Sequence, residues 1–408
     1  MRDNTECQGE SGTSTGVNIT PGSDDDGWIV PQPVRLSDGT HIQLYKDGEA
    51  LHAAYEAIKS AKQRICLEVY IFAGDDTGIA FADLLSKKAS EGLKVFVIYD
   101  ALGSFSTDSG IFKKMRRAGV HIHAFHPVYP WACTYSWRPW NRDHRKLLLI
   151  DNDIAGLGGL NVGAEYAGSW IGPRGSAKKC DFWRDNAIGI VGPGARHLQR
   201  AFARSWQYVT RGGRVGKTEV EYNLDFAAGE LAVFASVPTR ASRLVPYLES
   251  LVKNAQHSID LTMAYFAPPE ALIDRLCRAA RRGVRVRLML PGKGDVPLLV
   301  AAARSFYEKL MSAGVEIYER QGVVLHAKTM VIDREITAIG STNLDYRSIE
   351  YNLELSTIIR SKAFGTQGCD LFENDMKYAR RIILKEWRRR PWLDQFGQWA
   401  VNRARYLL

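Results

Sequence analysis

The sequence predicts an α/β protein of two tandem repeats, each a mostly parallel sheet flanked by helices, related by a pseudo-two-fold axis and sharing one site. Three observations predict it. Amphipathic helix patterns alternate with apolar strand patterns along the body of the chain. The same order of patterns occurs twice. A polar motif, His-x-Lys-x4-Asp, follows the alternating segments in both halves.

Residues 1–27 are rich in Ser, Gly, Thr and Asp and read as a disordered tail without the apolar core of a leader peptide. The first repeat is assigned to residues 28–220. Its helix pattern GEALHAAYEAIKSAK leads into the strand RICLEVYIF, then the helix FADLLSKKASEG, the strand LKVFVIYD and the helix FKKMRRAGV. The second repeat, residues 221–378, runs RLVPYLESLVKNAQ, SIDLTMAYF, ALIDRLCRAARRG, VRVRLML and FYEKLMSAGV in the same order. Between them TRGGRVGKTEVEYN is polar and glycine-bearing, which suits a boundary within 210–230. Residues 379–408 form a basic, aromatic C-terminal segment. No window approaches 18 consecutive apolar residues, so no transmembrane helix is expected.

The first motif is His144, Lys146 and Asp151; the second is His326, Lys328 and Asp333. Fourteen residues after each histidine stands a glycine (Gly158, Gly340), and seventeen after it an asparagine (Asn161, Asn343). At average composition one such His/Lys/Asp spacing arises by chance in roughly one chain of this length in fifty. Two copies with matched glycine and asparagine therefore mark a duplication. On a strand, residues two apart share a face, so each His and Lys point together. Neither copy makes a complete site by itself. Two imidazoles, two ammonium groups and two amides suit phosphoryl chemistry, with one nucleophile, one proton donor and four donors around a phosphate. The histidines His41, His52, His121, His123, His126, His197 and His257 have no mirrored partners and are taken as ordinary.

The formal charge is +9, and residues 1–27 carry −5 of opposing charge, which leaves +14 on the body. A polyanion is expected as partner, either an anionic lipid surface or nucleic acid. The six cysteines lack a CxxC pair and a Cys/His metal spacing, which suits a reduced, cytosol-facing protein without zinc. Cys66 and Cys277 read as small core residues.

From about Asp47 onward the motif residues resemble the phospholipase D superfamily, whose signature is this duplicated pattern. TMAYFAPPEAL, LPGKGDVPL, LHAKTMVID and GSTNLDYRSIEYNLEL resemble the bacterial cardiolipin synthase branch, most closely members without an N-terminal pair of membrane spans. The resemblance implies two phospholipase D-like domains, with His144 as nucleophile and His326 as acid/base, a symmetry that the sequence does not break. It also implies an acidic residue behind each motif to orient its histidine. Asp185 in FWRD matches for the first copy and Glu354 in NLEL for the second. Lys146, Lys328, Asn161 and Asn343 are expected around the phosphate oxygens, with Ser341 in one half only, since Gly159 stands at its counterpart. Asp151 and Asp333 complete the motif and, at strand ends, are read as structural. No metal or other cofactor is expected.

Two aromatic segments remain. From Val120 to His144 the chain is 13 residues longer than from Val315 to His326, and the excess includes Trp131, Tyr135, Trp137, Arg138 and Trp140. Such a loop suits either a hydrophobic cluster over the cleft or a contact with membrane or acyl chain. Near the C-terminus Trp392, Phe396 and Trp399 fall at helical spacing among arginines, as an anionic lipid interface favours. The resulting expectation is a peripheral phosphatidyltransferase on the cytoplasmic face of the cell membrane, acting on anionic phospholipids and not on nucleic acid. The alternatives are a phospholipase D hydrolase, a superfamily nuclease and a non-catalytic lipid tether.

Overall fold

The repeated helix and strand patterns fold into two sheets of matching strand order. A computed structural model describes residues 27–132, 140–168, 182–211, 226–236 and 243–392, with positions 397, 398, 401 and 403. In the first half β1 (Val34–Arg35) and β2 (His41–Lys46) lead into α1 (Gly48–Ser60), β3 (Arg64–Val69), α2 (Asp76–Ser90), β4 (Lys94–Asp100), α3 (Ser109–Arg117) and β5 (His121–Phe125). There follow the motif strand β6 (Leu147–Ile150), β7 (Ile154–Gly158), α4 (Ala164–Ala167), β8 (Trp183–Arg184), β9 (Asn186–Val191) and α5 (Ala195–Thr210). The second half opens with β10 (Phe226–Ala228), β11 (Leu231–Ala235), α6 (Leu244–Asn254), β12 (Ser258–Met263), α7 (Glu270–Arg281) and β13 (Arg285–Pro291). It continues through α8 (Pro297–Ser305), α9 (Tyr307–Ser312), β14 (Glu316–Arg320), β15 (Val324–Leu325), the motif strand β16 (Lys328–Ile332) and β17 (Ile336–Gly340). α10 (Tyr346–Glu350), β18 (Leu355–Arg360), α11 (Lys362–Met376), β19 (Ala379–Arg381) and α12 (Leu384–Trp387) complete it.

The first sheet has the order β1-β2-β9-β7-β6-β3-β4-β5 and the second β10-β11-β18-β17-β16-β12-β13-β14-β19. Strand by strand the two match, and β19, the start of the C-terminal segment, adds an edge to the second. The expectation of a mostly parallel sheet is corrected, because both sheets are mixed. Only β3-β4-β5 and β12-β13-β14 run parallel. Those strands are joined by crossover helices, which parallel pairing requires. Each motif strand instead turns back on its successor within three residues, so β6-β7 and β16-β17 pair antiparallel. At those turns Asp151 and Asp333 adopt left-handed φ of 51° and 53°. Gly119 and Gly314, which follow the last turns of α3 and α9, take φ of 98° and 97°, a conformation open to glycine.

The outer faces of the two sheets are covered by α1–α3 and by α6, α7 and α9, respectively. Between the sheets one continuous core mixes the halves, with Leu147, Leu149, Ile188 and Ile190 beside Leu353, Leu355, Ile359 and Phe364. Inner helices α5 and α11 supply Leu198, Phe202 and Leu371 to it. The shared layer fixes the two motif strands, each at the middle of its sheet, against one another. Cys66 and Cys277 are buried, as is Cys369.

Candidate active site

Each motif histidine sits just ahead of its strand and is pinned by backbone of the opposite half. His144 N donates to Leu353 O at 2.9 Å, and His326 N donates to Arg184 O at 2.8 Å. Strand β15, which leads into His326, pairs in parallel with β8 of the first half. A bridge between Asp143 and Leu353 does the same for the other motif. The imidazoles thereby meet across the interface, with ring centroids 6.3 Å apart and planes at 73°. Both are buried.

The two acids exchange histidines relative to the sequence expectation. Asp185, expected behind the first motif, accepts from His326 Nδ1 at 2.7 Å. Glu354, expected behind the second, lies 3.1 Å from His144 Nδ1. The cause is the backbone pairing described above: Asp185 directly follows Arg184, which runs beside Leu325, and Glu354 directly follows Leu353, which runs beside Asp143. With Nδ1–H held by a carboxylate, Nε2 of each ring is left to face the reacting centre. Lys328 Nζ also lies 2.9 Å from His326 Nδ1. That nitrogen has one hydrogen or one lone pair in the ring plane, and the shorter contact to Asp185 assigns it the hydrogen.

Both lysines fold back on their own motifs, Lys146 Nζ donating to His144 O at 2.7 Å and Lys328 Nζ to His326 O. Asn161 Oδ1 accepts from Ile71 N at 3.1 Å and its amide donates to Tyr166 Oη at 2.8 Å. The buried Asn343 Oδ1 has no hydrogen-bond partner among the described residues. Ser341, expected at the phosphate, is committed elsewhere. Its hydroxyl donates to Glu354 Oε2 and accepts from Leu355 N, so it steadies the acid rather than a substrate oxygen. A side chain at Gly159, its counterpart, would have its Cβ 2.1 Å from Asp185 Oδ1. The carboxylate occupies the space that the serine fills in the other half.

The motif aspartates lie at the far ends of their strands from the imidazoles. Asp151 accepts from the backbone N–H of Lys62, Gln63 and Arg64, and Asp333 from those of Gln256, His257 and Ser258. Partial burial works against ionisation there, but the three donors outweigh it and hold both carboxyls below their usual range. They tie the motif turn to the preceding helix–strand loop.

Four aromatics that the motif spacing does not reveal surround the imidazoles. Tyr70 packs edge-on to His144 at 5.1 Å, while Trp183, Tyr166 and Tyr265 ring His326 at 5.1, 5.7 and 6.2 Å. Tyr70 and Tyr265 follow β3 and β12, the strands paired with the two motif strands, and that position is the signal that could have found them. Of the tryptophans expected at a membrane, Trp131, Trp140 and Trp392 are 81%, 70% and 70% exposed. Trp137, Phe396 and Trp399 lie outside the described residues. Trp131 stacks on Tyr129, which leans on exposed Phe105, so the loop after β4 joins the same patch.

Burial dominates the electrostatics. It lowers His144 well below its usual value, helped by Lys146 and Lys328, and lowers His326 to about 4 despite Asp185. Burial and the neighbouring Lys328 bring Lys146 down to about 7, and burial brings Lys328 to about 8 against the pull of Asp185 and Glu354. Glu354 is pushed up to about 8, again by burial first. The site is therefore short of a negative charge that a phosphate would supply. The sign follows: each lysine is charged below its pKa and loses its charge as pH rises through it. A bound anion raises both, so binding at pH 8 draws in protons. Sulfate, which stays dianionic throughout, is expected to bind about tenfold more weakly per pH unit between 7 and 8.5, with proton uptake visible by calorimetry in buffers of different ionisation heat. Affinity independent of pH would contradict the charge deficit.

A family model described as "Cardiolipin synthase, PLD-like domain" matches residues 55–168 and 248–376. A cardiolipin synthase of Alkalihalophilus pseudofirmus is 31% identical over 88% of this chain and 71% of its own length. One of Halalkalibacterium halodurans is 32% identical over 88% and 70%, and cardiolipin synthase 1 of Staphylococcus epidermidis 32% over 91% and 74%. Among solved structures, the phosphatidylserine synthase of Haemophilus influenzae shares the fold with a TM-score of 0.68 at 14% identity, covering 92% of this chain and 96% of that one.

Proposed function

The chain belongs to the phospholipase D-like cardiolipin synthase family, and from that premise we propose that it joins two phosphatidylglycerol molecules into cardiolipin and glycerol through a phosphatidyl-histidine intermediate. The observation that carries this reading is the pair of buried imidazoles 6.3 Å apart, each backed by a carboxylate of the opposite half. Such a pair suits in-line displacement at a phosphorus held between the rings.

In the first step His144 Nε2 attacks phosphorus. The P–N bond forms as the bond to the headgroup glycerol oxygen breaks, and His326 Nε2–H protonates that oxygen so that glycerol leaves. Burial and the neighbouring Lys328 hold His326 to about 4, and the negative charge of the substrate phosphate raises it, which makes this ring a proton donor near neutrality. Lys146, Lys328 and the amides of Asn161 and Asn343 take the non-bridging oxygens. In the second step His326 Nε2 removes the proton from a glycerol hydroxyl of a second phosphatidylglycerol. Its oxygen attacks phosphorus, the P–N bond breaks, and His144 is restored. Lysine and amide meet the phosphate charge, so activity is expected to survive chelators.

Among the described residues no helix is long and apolar enough to cross a membrane. The exposed Phe105, Tyr129, Trp131 and Trp140, together with a basic body, support peripheral attachment to an anionic lipid surface, the cytoplasmic face of the cell membrane in this reading. Trp131→Ser with Trp140→Ser is expected to weaken co-sedimentation with phosphatidylglycerol vesicles at least fivefold, and salt to weaken it further, since surface attraction is screened over about 8 Å at physiological ionic strength. Vesicle binding equal to the parent would assign those tryptophans to another role.

Incubation with vesicles of headgroup-labelled phosphatidylglycerol tests the reaction. Cardiolipin with released glycerol is expected. Phosphatidic acid as the main product would make the protein a hydrolase, and no turnover would sink the reading.

A further inference from the structure

A cavity of about 350 Å³ lies between α1 and the first sheet, with an almost wholly apolar wall. It runs beneath β2, β9 and β7 to Lys146, just before β6. Three strand spacings give it a reach of roughly 14 Å. His41 and Val191 at one end are exposed, while Lys146 at the other is buried.

The second half identifies what is missing. Helices α1 and α6 reach their following strands through loops of equal length, and β3 and β12 pair with the motif strands in the same register. On α1 the residues Ala50, Ala53, Ala54 and Ala57 thus stand where α6 carries Leu244, Tyr247, Leu248 and Leu251. Those three leucines are buried and the tyrosine packs against them. On the sheet the directly paired Gly156 and Gly189 replace paired Ala338 and Ile358. A Cβ on Gly156 would meet nothing nearer than 3.9 Å, so sterics do not demand glycine there. One half fills this layer and the other leaves it open. An engineered cavity of about 150 Å³ with apolar walls stays dry and takes up an apolar guest, and this one is more than twice that size.

We propose that this cavity holds an acyl chain of the phosphatidyl group whose phosphorus is bound between the imidazoles. The proposal rests on the lipid-substrate reading above. Lys146 joins the two sites: it lines the inner end of the cavity, and its ammonium donates to the backbone oxygen of His144. The elongated shape and mostly apolar wall fit a polymethylene chain better than a polar headgroup. The asymmetry assigns the chain to the first half, on the side of His144, which carries the covalent phosphatidyl group. On the side of His326, which the acceptor lipid meets through a hydroxyl, buried Leu244, Leu248 and Leu251 of α6 fill the corresponding layer.

The test uses the full chain in mixed micelles at fixed lipid mole fraction. Ala54→Leu with Ala57→Leu copies the second half's packing. The ratio of kcat/KM for sixteen-carbon over four-carbon phosphatidylglycerol is expected to fall at least tenfold, since each excluded methylene is worth roughly fourfold. An unchanged ratio overturns the proposal. Wild-type protein photolabelled with phosphatidylglycerol bearing a diazirine midway along one chain provides a second measurement, free of any folding defect in the variant. Adducts on residues 50–57 and 154–158 are expected. Adducts confined to the Trp131–Trp140 loop or to the segment after Trp392 overturn the proposal. Labelling of the cavity by a protein that yields only phosphatidic acid would uphold the chain site while rejecting the transferase reading.

Discussion

Replacing His144 by alanine is expected to lower phosphatidyl transfer by about 10⁴-fold or more without unfolding the protein, and replacing His326 to do nearly the same. Nucleophile and proton donor act as a unit, so removing either forfeits most of what both supply. The two variants are distinguished by what accumulates. With His326→Ala, phosphatidyl-His144 forms from a donor with a good leaving group and persists, because no base activates the acceptor. With His144→Ala, no adduct forms. Intact-mass measurement after incubation with such a donor reads this directly. Wild-type rates in either variant would refute a shared site, and an adduct on His326 would exchange the roles.

Arg184 sits behind the site and is expected to be costly to neutralise. It donates to both oxygens of Asp375 on α11 at 2.8 Å, reaches Asp47 at 3.3 Å, and donates to the backbone oxygen of Asp185. Arginine and Asp375 are both almost wholly buried. Arg184→Met leaves Asp47 facing Lys46 at 4.0 Å and Asp375 facing Arg320 at 3.6 Å, both longer than the contacts that are lost. Breaking one side of a buried pair costs about 3–5 kcal/mol, and the melting temperature should fall accordingly. It also unseats Asp185, and thus His326, so kcat should drop with little change in KM. Adding Asp375→Leu should recover much of the stability, since an apolar pair replaces a buried ion pair at small cost. It should not recover kcat. Arg184→Met with unaltered melting and turnover would show that the cluster does not hold the site.

Much of this architecture was legible because it is local. Periodicity placed α1, β3, α2, β4 and α3 in the first half and α6, β12, α7, β13 and α9 in the second, and one repeated spacing picked out both imidazoles and both lysines. What stayed hidden depends on which strands touch. The mostly parallel expectation failed because turns of three residues after each motif strand enforce antiparallel pairing, and a turn's direction is not written in strand composition. The acids were recognisable as a pair, but their exchange follows from β8 lying along β15, a contact between segments about 140 residues apart. Ser341 read as a phosphate ligand because its bond to Glu354 is invisible in one dimension. The four alanines of α1 stand in the sequence within a helix pattern, and their small size acquires meaning only against the bulkier residues of α6.

The exchange of acids also bears on how the enzyme comes into being. As the chain is synthesised, the first half emerges with a His144 that has no carboxylate behind it, because Glu354 lies 210 residues downstream and is not yet made. Asp185 meanwhile waits for a histidine that does not yet exist. Neither half can open a phospholipid until both are docked, so nascent and truncated chains are silent at the membrane where a partly active one would damage lipid. Catalytic competence is in this sense a built-in checkpoint on completed assembly.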